Sequence, residues 1–351
     1  MKCLFCNVRE ANKKNTHYLT DSIIRRALNQ DSSNERGQGS YFDFSTNKGT
    51  IEYNFQQVTS TINIEENLGR QATDEEIQSS KEHTEFSVNY LYCNVCENLF
   101  GEIENPFTDT VLPKFRDADL TGISEIDIDD VKTVRLFFYL QLLRSSDCHE
   151  SFSLPEGLAN LFREWIINHA SVSYEDINAI PLAIAYLQTL DDQYFQNSVG
   201  MTSDQNPNII IMNDFVIQCF EIGKEKGFFE FPQINHPDNY ERFSNQNEDS
   251  FLVKIISDEN RKLFYQELSY NQKYESIIRE CGEALYKPYL EAFGIIPTKE
   301  TTEYFYYHEI HSSNEPKGIK HTEENYRNKA VEFVKKNEKE IKQIIKKHNL
   351  D

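Results

Sequence analysis

Several features that would place a chain in a special class are scarce or missing in this sequence. Its 351 residues include one Trp, three Met, 13 Gly and 10 Pro, and no internal repeat recurs along them. No apolar run approaches the ~18 residues that a bilayer-spanning helix requires. The first 14 residues, MKCLFCNVREANKK, lack the apolar stretch of a secretory signal. These absences argue against a repeat protein, membrane insertion and secretion, so we expect a cytoplasmic protein without a membrane partner.

An excess of positive charge is also missing, because 57 acidic and 36 basic residues give a net charge of −21. Non-specific nucleic-acid binding depends on cations that neutralise phosphates, so the chain as a whole is poorly suited to it. The charge is uneven, however. Residues 1–48 carry eight basic and five acidic side chains, and residues 314–351 carry ten and seven, whereas residues 49–313 carry 18 and 45. We expect any polyanion site near one of the two ends.

The sequence does contain enough apolar and aromatic surface for a packed core. Hydrophobic residues make up 38% of the chain, with 24 Phe and 19 Tyr, which is too much for a disordered protein. The length suggests about two domains. Local patterns predict an α+β fold with a β-hairpin and several long helices. The segments concerned are helices at 22–30, 97–105, 131–146, 154–170, 262–293 and 323–348, a hairpin from 41–45 and 50–59, and strands at 86–93, 208–220, 250–257 and 302–311.

Four of the seven cysteines form two C-x-x-C pairs, Cys3 with Cys6 and Cys93 with Cys96. Each pair can present two thiolates to one ion, and two pairs complete the tetrahedral four-thiolate set of a structural zinc site. A redox C-x-x-C normally occurs in a βαβ context, which neither pair has. The spacing therefore predicts bound zinc and no disulfide at these positions.

The residues that follow each pair carry a resemblance to a known family. His17 lies eleven residues after Cys6 and leads into a predicted helix, and Cys96 is followed by Glu97, Phe100 and Glu104. This arrangement resembles the zinc-bearing members of the HNH (ββα-metal) endonuclease superfamily over residues 1–110. The resemblance implies a hairpin and a helix that hold one divalent ion against the scissile phosphate.

The resemblance also implies roles for individual residues. His17 would be the general base, and Asn89 would orient it. Glu97 and Glu104, seven residues apart and near one helical face, would bind catalytic Mg²⁺ or Mn²⁺ in addition to the structural zinc. Asp21 would substitute for the ligand that many members have at the position of Thr16. A second histidine, His83, also lies between the cysteine pairs, in a polar stretch before a strand.

These inferences predict a two-part protein: residues 1–118 as a small zinc-stapled HNH-like nuclease module, and residues 119–351 as a mainly helical body with some strand. The predicted activity is metal-dependent hydrolysis of nucleic acid, DNA before RNA, in a setting similar to bacterial phage defence. The body would serve regulation, a protein partner or homo-oligomerisation. The alternative is a non-catalytic zinc module that binds nucleic acid or protein.

Overall fold

The computed structural model of the protein describes residues 1–28, 39–43, 45, 52–56, 69–74, 86–149, 152–190, 198–203, 206–227, 236–313 and 317–347. Within these ranges the chain divides into two compact units. Unit 1 comprises Met1–Gln266, and unit 2 comprises Glu267–Asp351. Helices and strands are mixed along the chain, which confirms the predicted α+β class.

Unit 1 contains the strands. They are β1 (Thr16–His17), β2 (Gly39–Asp43), β3 (Glu52–Gln56), β4 (Ser87–Val88), β5 (Glu125–Ile128), β6 (Leu182–Leu187), β7 (Ser198–Thr202), β8 (Asn208–Met212), β9 (Phe215–Cys219) and β10 (Phe251–Ile256). Its helices are α1 (Asp21–Leu28), α2 (Asn94–Pro106), α3 (Pro113–Arg116), α4 (Val131–Cys148), α5 (Glu156–Ile167), α6 (Tyr174–Asn178) and α7 (Tyr240–Phe243).

Two sheets organise unit 1. β1 and β4 form a small antiparallel pair, and the other strands form an eight-stranded sheet in the order β3-β2-β7-β8-β9-β6-β10-β5. Only the β2–β7 and β6–β10 pairs of this sheet are parallel. The predicted hairpin is confirmed as β2–β3, with Gly39 opposite Gln56 and Asp43 opposite Glu52. Its pairing with β7 joins the N-terminal part of the chain to strands from the middle.

Helix α4 is buried on all sides, as its continuous apolar sequence predicts. The Asp130 side chain accepts from the backbone N–H of Thr133 and caps its first turn. Phe137 stacks on Phe107 with ring centroids 3.8 Å apart, and Phe138 contacts Phe215 of β9. The core is continuous from Cys3 to Ile255, so the boundary predicted at residue 118 falls inside unit 1.

Unit 2 is helical in the residues that the structure describes. α8 (Asp258–Phe293) enters it from unit 1 and is followed by α9 (Lys299–Phe305), a π-helical segment (Tyr306–His311), α10 (Lys317–Lys320) and α11 (Glu323–Lys347). Its core lies between α8, α9, the π-helical segment and α11. No described helix of either unit has the length and apolar composition needed to cross a bilayer.

Three local predictions were wrong. The segment 302–311 is helical instead of a strand, because Thr302, Phe305 and Ile310 are buried at helical spacing. The segment 208–220 forms two antiparallel strands, β8 and β9, instead of one strand, because Asn213 and Asp214 make a turn between them. The strand predicted at 86–93 is limited to β4.

Candidate functional site

The first cysteine pair lies in a tight turn at the start of the chain. The backbone N–H of Asn7 donates to the carbonyl of Cys3 (2.9 Å), and that of Cys3 donates to the carbonyl of Arg9 (2.8 Å). Asn7 has φ = 54°, a left-handed conformation that Asn tolerates better than most residues. The turn folds the chain back so that both thiols point to the same side.

The second pair lies at the beginning of α2. Cys93 is the N-cap and Cys96 is in the first turn. The backbone N–H of Leu4 donates to the carbonyl of Leu91 (2.9 Å) and joins the segments that carry the two pairs. Phe5 and Tyr92 both pack edge-on against Phe100 of α2, with centroids 5.0 and 5.3 Å away. These contacts hold the two pairs together from one side.

The four thiols form a compact cluster, as the sequence predicts. All four Sγ atoms lie within 4.8 Å of one another, with 3.7 Å between Cys3 and Cys96 and 3.5 Å between Cys93 and Cys96. Zn–S bonds of ~2.3 Å in a tetrahedron place the sulfurs about 3.8 Å apart, so the cluster fits zinc. All seven cysteines of the chain are free of disulfides.

The surroundings of the cluster affect its thiols differently. Burial raises the pKa of Cys3 and Cys96. Burial also acts on Cys6, but backbone N–H groups of Arg9 and Val8 and the neighbouring thiols lower its pKa to about 6. One ligand is therefore readily a thiolate, which is the form that binds metal.

His17 lies on strand β1, eleven residues after Cys6 of this cluster. It is paired with Ser87 of β4, and the backbone N–H of Tyr18 donates to the carbonyl of Phe86 (2.8 Å). Its Nε2 is 3.4 Å from Oδ1 of Asp21, and both side chains are about one quarter exposed or less. A carboxylate beside an imidazole can fix its orientation and stabilise its protonated form.

Glu97 and Glu104 both face the same arginine of α4. Oε1 of Glu104 accepts from Nη1 of Arg144 (2.8 Å) and from the hydroxyl of Thr20 (2.6 Å). Oε1 of Glu97 is 3.9 Å from Nη2 of Arg144. Arg144 itself is only 3% exposed and lies over the ring of Phe100. The two carboxylates therefore lie in one partly buried cluster with a compensating cation.

The carboxylates differ in how completely they are satisfied. Glu104 is hydrogen-bonded, whereas the buried Oε1 of Glu97 has no hydrogen bond of normal geometry; the buried hydroxyl of Thr16 is close enough to lower the pKa of Glu97. Burial raises the pKa of Glu97 and Arg144 opposes that rise; nearby Glu104 raises it further. An unsatisfied buried carboxylate oxygen is compatible with a cation ligand. Among the described residues, however, only the four cysteines cluster closely enough to hold an ion.

Asn89 directly follows strand β4, which pairs with the strand of His17. The side chain of Asn89, however, has a different partner. It is exposed, and its Oδ1 accepts from the backbone N–H of Asn15 (2.8 Å). Asp21 contacts the His17 ring. His83 lies outside the residues that the structure describes.

Arg144 and Thr20 are site residues that the sequence analysis missed. Arg144 carried a signal, because a charged residue within a helix that is apolar on all sides must find a buried partner. The identity of that partner is not local: Arg144 is 40 residues from Glu104 in sequence.

Comparisons with known proteins add nothing to this geometry, since no family model, curated protein or solved structure matches the chain.

Proposed function

We propose that this protein is an HNH-type, metal-dependent endonuclease that hydrolyses nucleic-acid phosphodiester bonds, with DNA as the preferred substrate. The observation that carries the proposal is the position of His17. It lies on a strand pair between the two cysteine turns, and its Nε2, which is itself buried, is 3.4 Å from the Asp21 carboxylate, while the side chain as a whole is 20% exposed. This order of cysteine turn, histidine strand and cysteine-capped helix is the order of the zinc-bearing HNH enzymes.

Each residue of the site has a defined role in the proposed hydrolysis. His17 takes a proton from the attacking water, and Asp21 orients the imidazole and stabilises its charge. Glu97 and Glu104 would hold Mg²⁺, which supplies charge neutralisation at the phosphate and the leaving oxygen when it is bound. The four cysteines would hold zinc, which would fix the start of α2 and so the position of the two glutamates relative to β1.

A second candidate is a non-catalytic zinc module that binds nucleic acid or protein. The contacts of Arg144 with both glutamates favour it, because a guanidinium already neutralises the carboxylates that a divalent ion would need. In this case the cluster is a buried ion-pair network that ties α2 to α4.

The test is cleavage of supercoiled plasmid and of linear duplex DNA and RNA in Mg²⁺ or Mn²⁺. We expect His17→Ala to lower the rate by roughly 10²–10⁴-fold, the usual contribution of a positioned base, with an unchanged zinc content. His169→Ala is the matched control, since His169 also contacts a carboxylate, Glu102, at 3.5 Å. His83→Ala separates the two histidines between the cysteine pairs and is expected to retain activity.

Activity that survives His17→Ala would contradict the assignment. Zinc-loaded wild-type protein that cleaves neither DNA nor RNA in either metal would favour the non-catalytic candidate.

A further inference from the structure

Helix α11 of unit 2 has two chemically different faces. One face packs into the core of the unit through Tyr326, Ala330, Phe333 and Val334, which are at most 6% exposed. The partly buried Ile341 extends this face towards the C-terminus. The helix predicted for residues 323–348 is present over Glu323–Lys347.

The opposite face carries a row of lysines. Lys335, Lys339 and Lys342 are exposed and stand at positions i, i+4 and i+7, so they follow one line along the helix. Among the described residues, Lys335 and Lys339 make no ion pair, and Lys342 contacts only Glu338 of the same helix (2.7 Å). We call Lys335, Lys339 and Lys342 the lysine row. The charges of Lys335 and Lys339 are therefore available to a partner.

The lysine row stands out against the charge of the rest of the chain. Unit 1 carries 22 basic and 42 acidic residues, whereas unit 2 carries 14 and 15. Within residues 335–347 there are six lysines and two glutamates. Because exposed charges interact within about 8–10 Å at moderate ionic strength, such a local cluster retains its own positive potential.

We propose that the lysine row binds the phosphate backbone of a nucleic-acid duplex. With a rise of 1.5 Å per residue, Lys335 and Lys342 are about 10 Å apart along the helix, and one strand of a duplex presents about three phosphates over that distance. The identity of the partner rests on the proposed function, but binding itself requires no cleavage. A bilayer is a poorer match, since the apolar face that would insert into it is already packed in the core.

The experiment measures binding of the full-length protein to a labelled 30-base-pair duplex, as DNA and as RNA, by fluorescence anisotropy without added divalent ions. The variant is Lys335→Gln with Lys339→Gln. The control is Lys224→Gln with Lys287→Gln, which removes the same charge from two exposed lysines elsewhere. We expect the variant to bind at least about tenfold more weakly at 50 mM salt, and the slope of log K against log [salt] to fall by about 2, roughly one per lost phosphate contact. The control should bind as wild type.

Equal weakening in variant and control, or no binding by wild type, would overturn the proposal. So would a variant that keeps its affinity for both duplexes but changes its sedimentation, since the lysines would then bind the acidic surface of a second copy. The proposed function fails separately: if wild type binds through the lysine row but His17→Ala leaves any cleavage unchanged, only the nuclease assignment is lost.

Discussion

At the scale of single residues, the contacts of Arg144 bear directly on whether the two glutamates form a metal site or a structural ion-pair network. Its guanidinium is nearly inaccessible and lies between two carboxylates that belong to a different helix. A buried arginine without partners would be strongly unfavourable, and so would two glutamates without a cation. The three side chains therefore stabilise one another.

This mutual dependence predicts a large effect of Arg144→Met. The variant leaves Glu97 and Glu104 partly buried beside each other without compensation, so we expect the free energy of unfolding to fall by about 3 kcal/mol, measured by urea denaturation. Arg144→Lys should recover part of the loss. Arg242→Met is the matched control, because Arg242 pairs with Glu125 at the surface with 61% of its side chain exposed, and it should cost less than about 1 kcal/mol. Similar losses in both variants would show that burial of the pair is unimportant.

At the scale of elements, the helices whose sequence pattern lies within one segment were predicted correctly. The long apolar helix at 131–146 and the C-terminal helix follow from local patterns, whereas the single strand predicted at 208–220 is divided into β8 and β9 by a turn at Asn213 and Asp214. The segment 302–311 was mistaken for a strand, because its Tyr and Phe residues favour strands locally while their burial in unit 2 selects a helix. The β2–β7 pairing and the Arg144 contacts join distant segments, and no local pattern encodes such partners.

The two faces of α11 give a prediction at this scale. Val334→Ala removes two methyl groups from a buried position and should lower the free energy of unfolding by about 2 kcal/mol. Val331→Ala makes the same change at a position that is 41% exposed and should cost less than about 0.5 kcal/mol. Thermal unfolding of the two proteins provides the comparison. Equal stability of the two variants would argue against packing of this face.

At the scale of the whole molecule, the cysteine cluster is the feature that the sequence predicted most completely. Ligand type and C-x-x-C spacing are local, so each half of the cluster can be recognised independently. The convergence of the halves was an inference from the requirement for four ligands, and the structure brings all four together. The eight-stranded sheet was not predicted as a unit, because the order of its strands depends on pairings between distant segments.

The cluster predicts one zinc ion per purified chain, measured by elemental analysis. Cys96→Ser should lose the metal and lower the melting temperature, because four-thiolate sites contribute directly to folding. Cys281→Ser is the control, since Cys281 is a fully buried cysteine of the unit 2 core and not part of the cluster; it should keep its zinc. Wild-type protein prepared without chelator and free of zinc would refute the prediction.

Because strands β2 and β3 lie between the two cysteine pairs, metal binding at the cluster would affect the order in which the fold assembles. Both strands lie between Cys6 and Cys93, in a stretch of 86 residues whose ends the four thiols bring together. Linking these ends early removes much of the chain entropy that opposes long-range contacts, and the parallel pairing of β2 with β7 is such a contact. The ion would then set the order of assembly, with the N-terminal loop closed first and the hairpin added to the edge of the sheet afterwards.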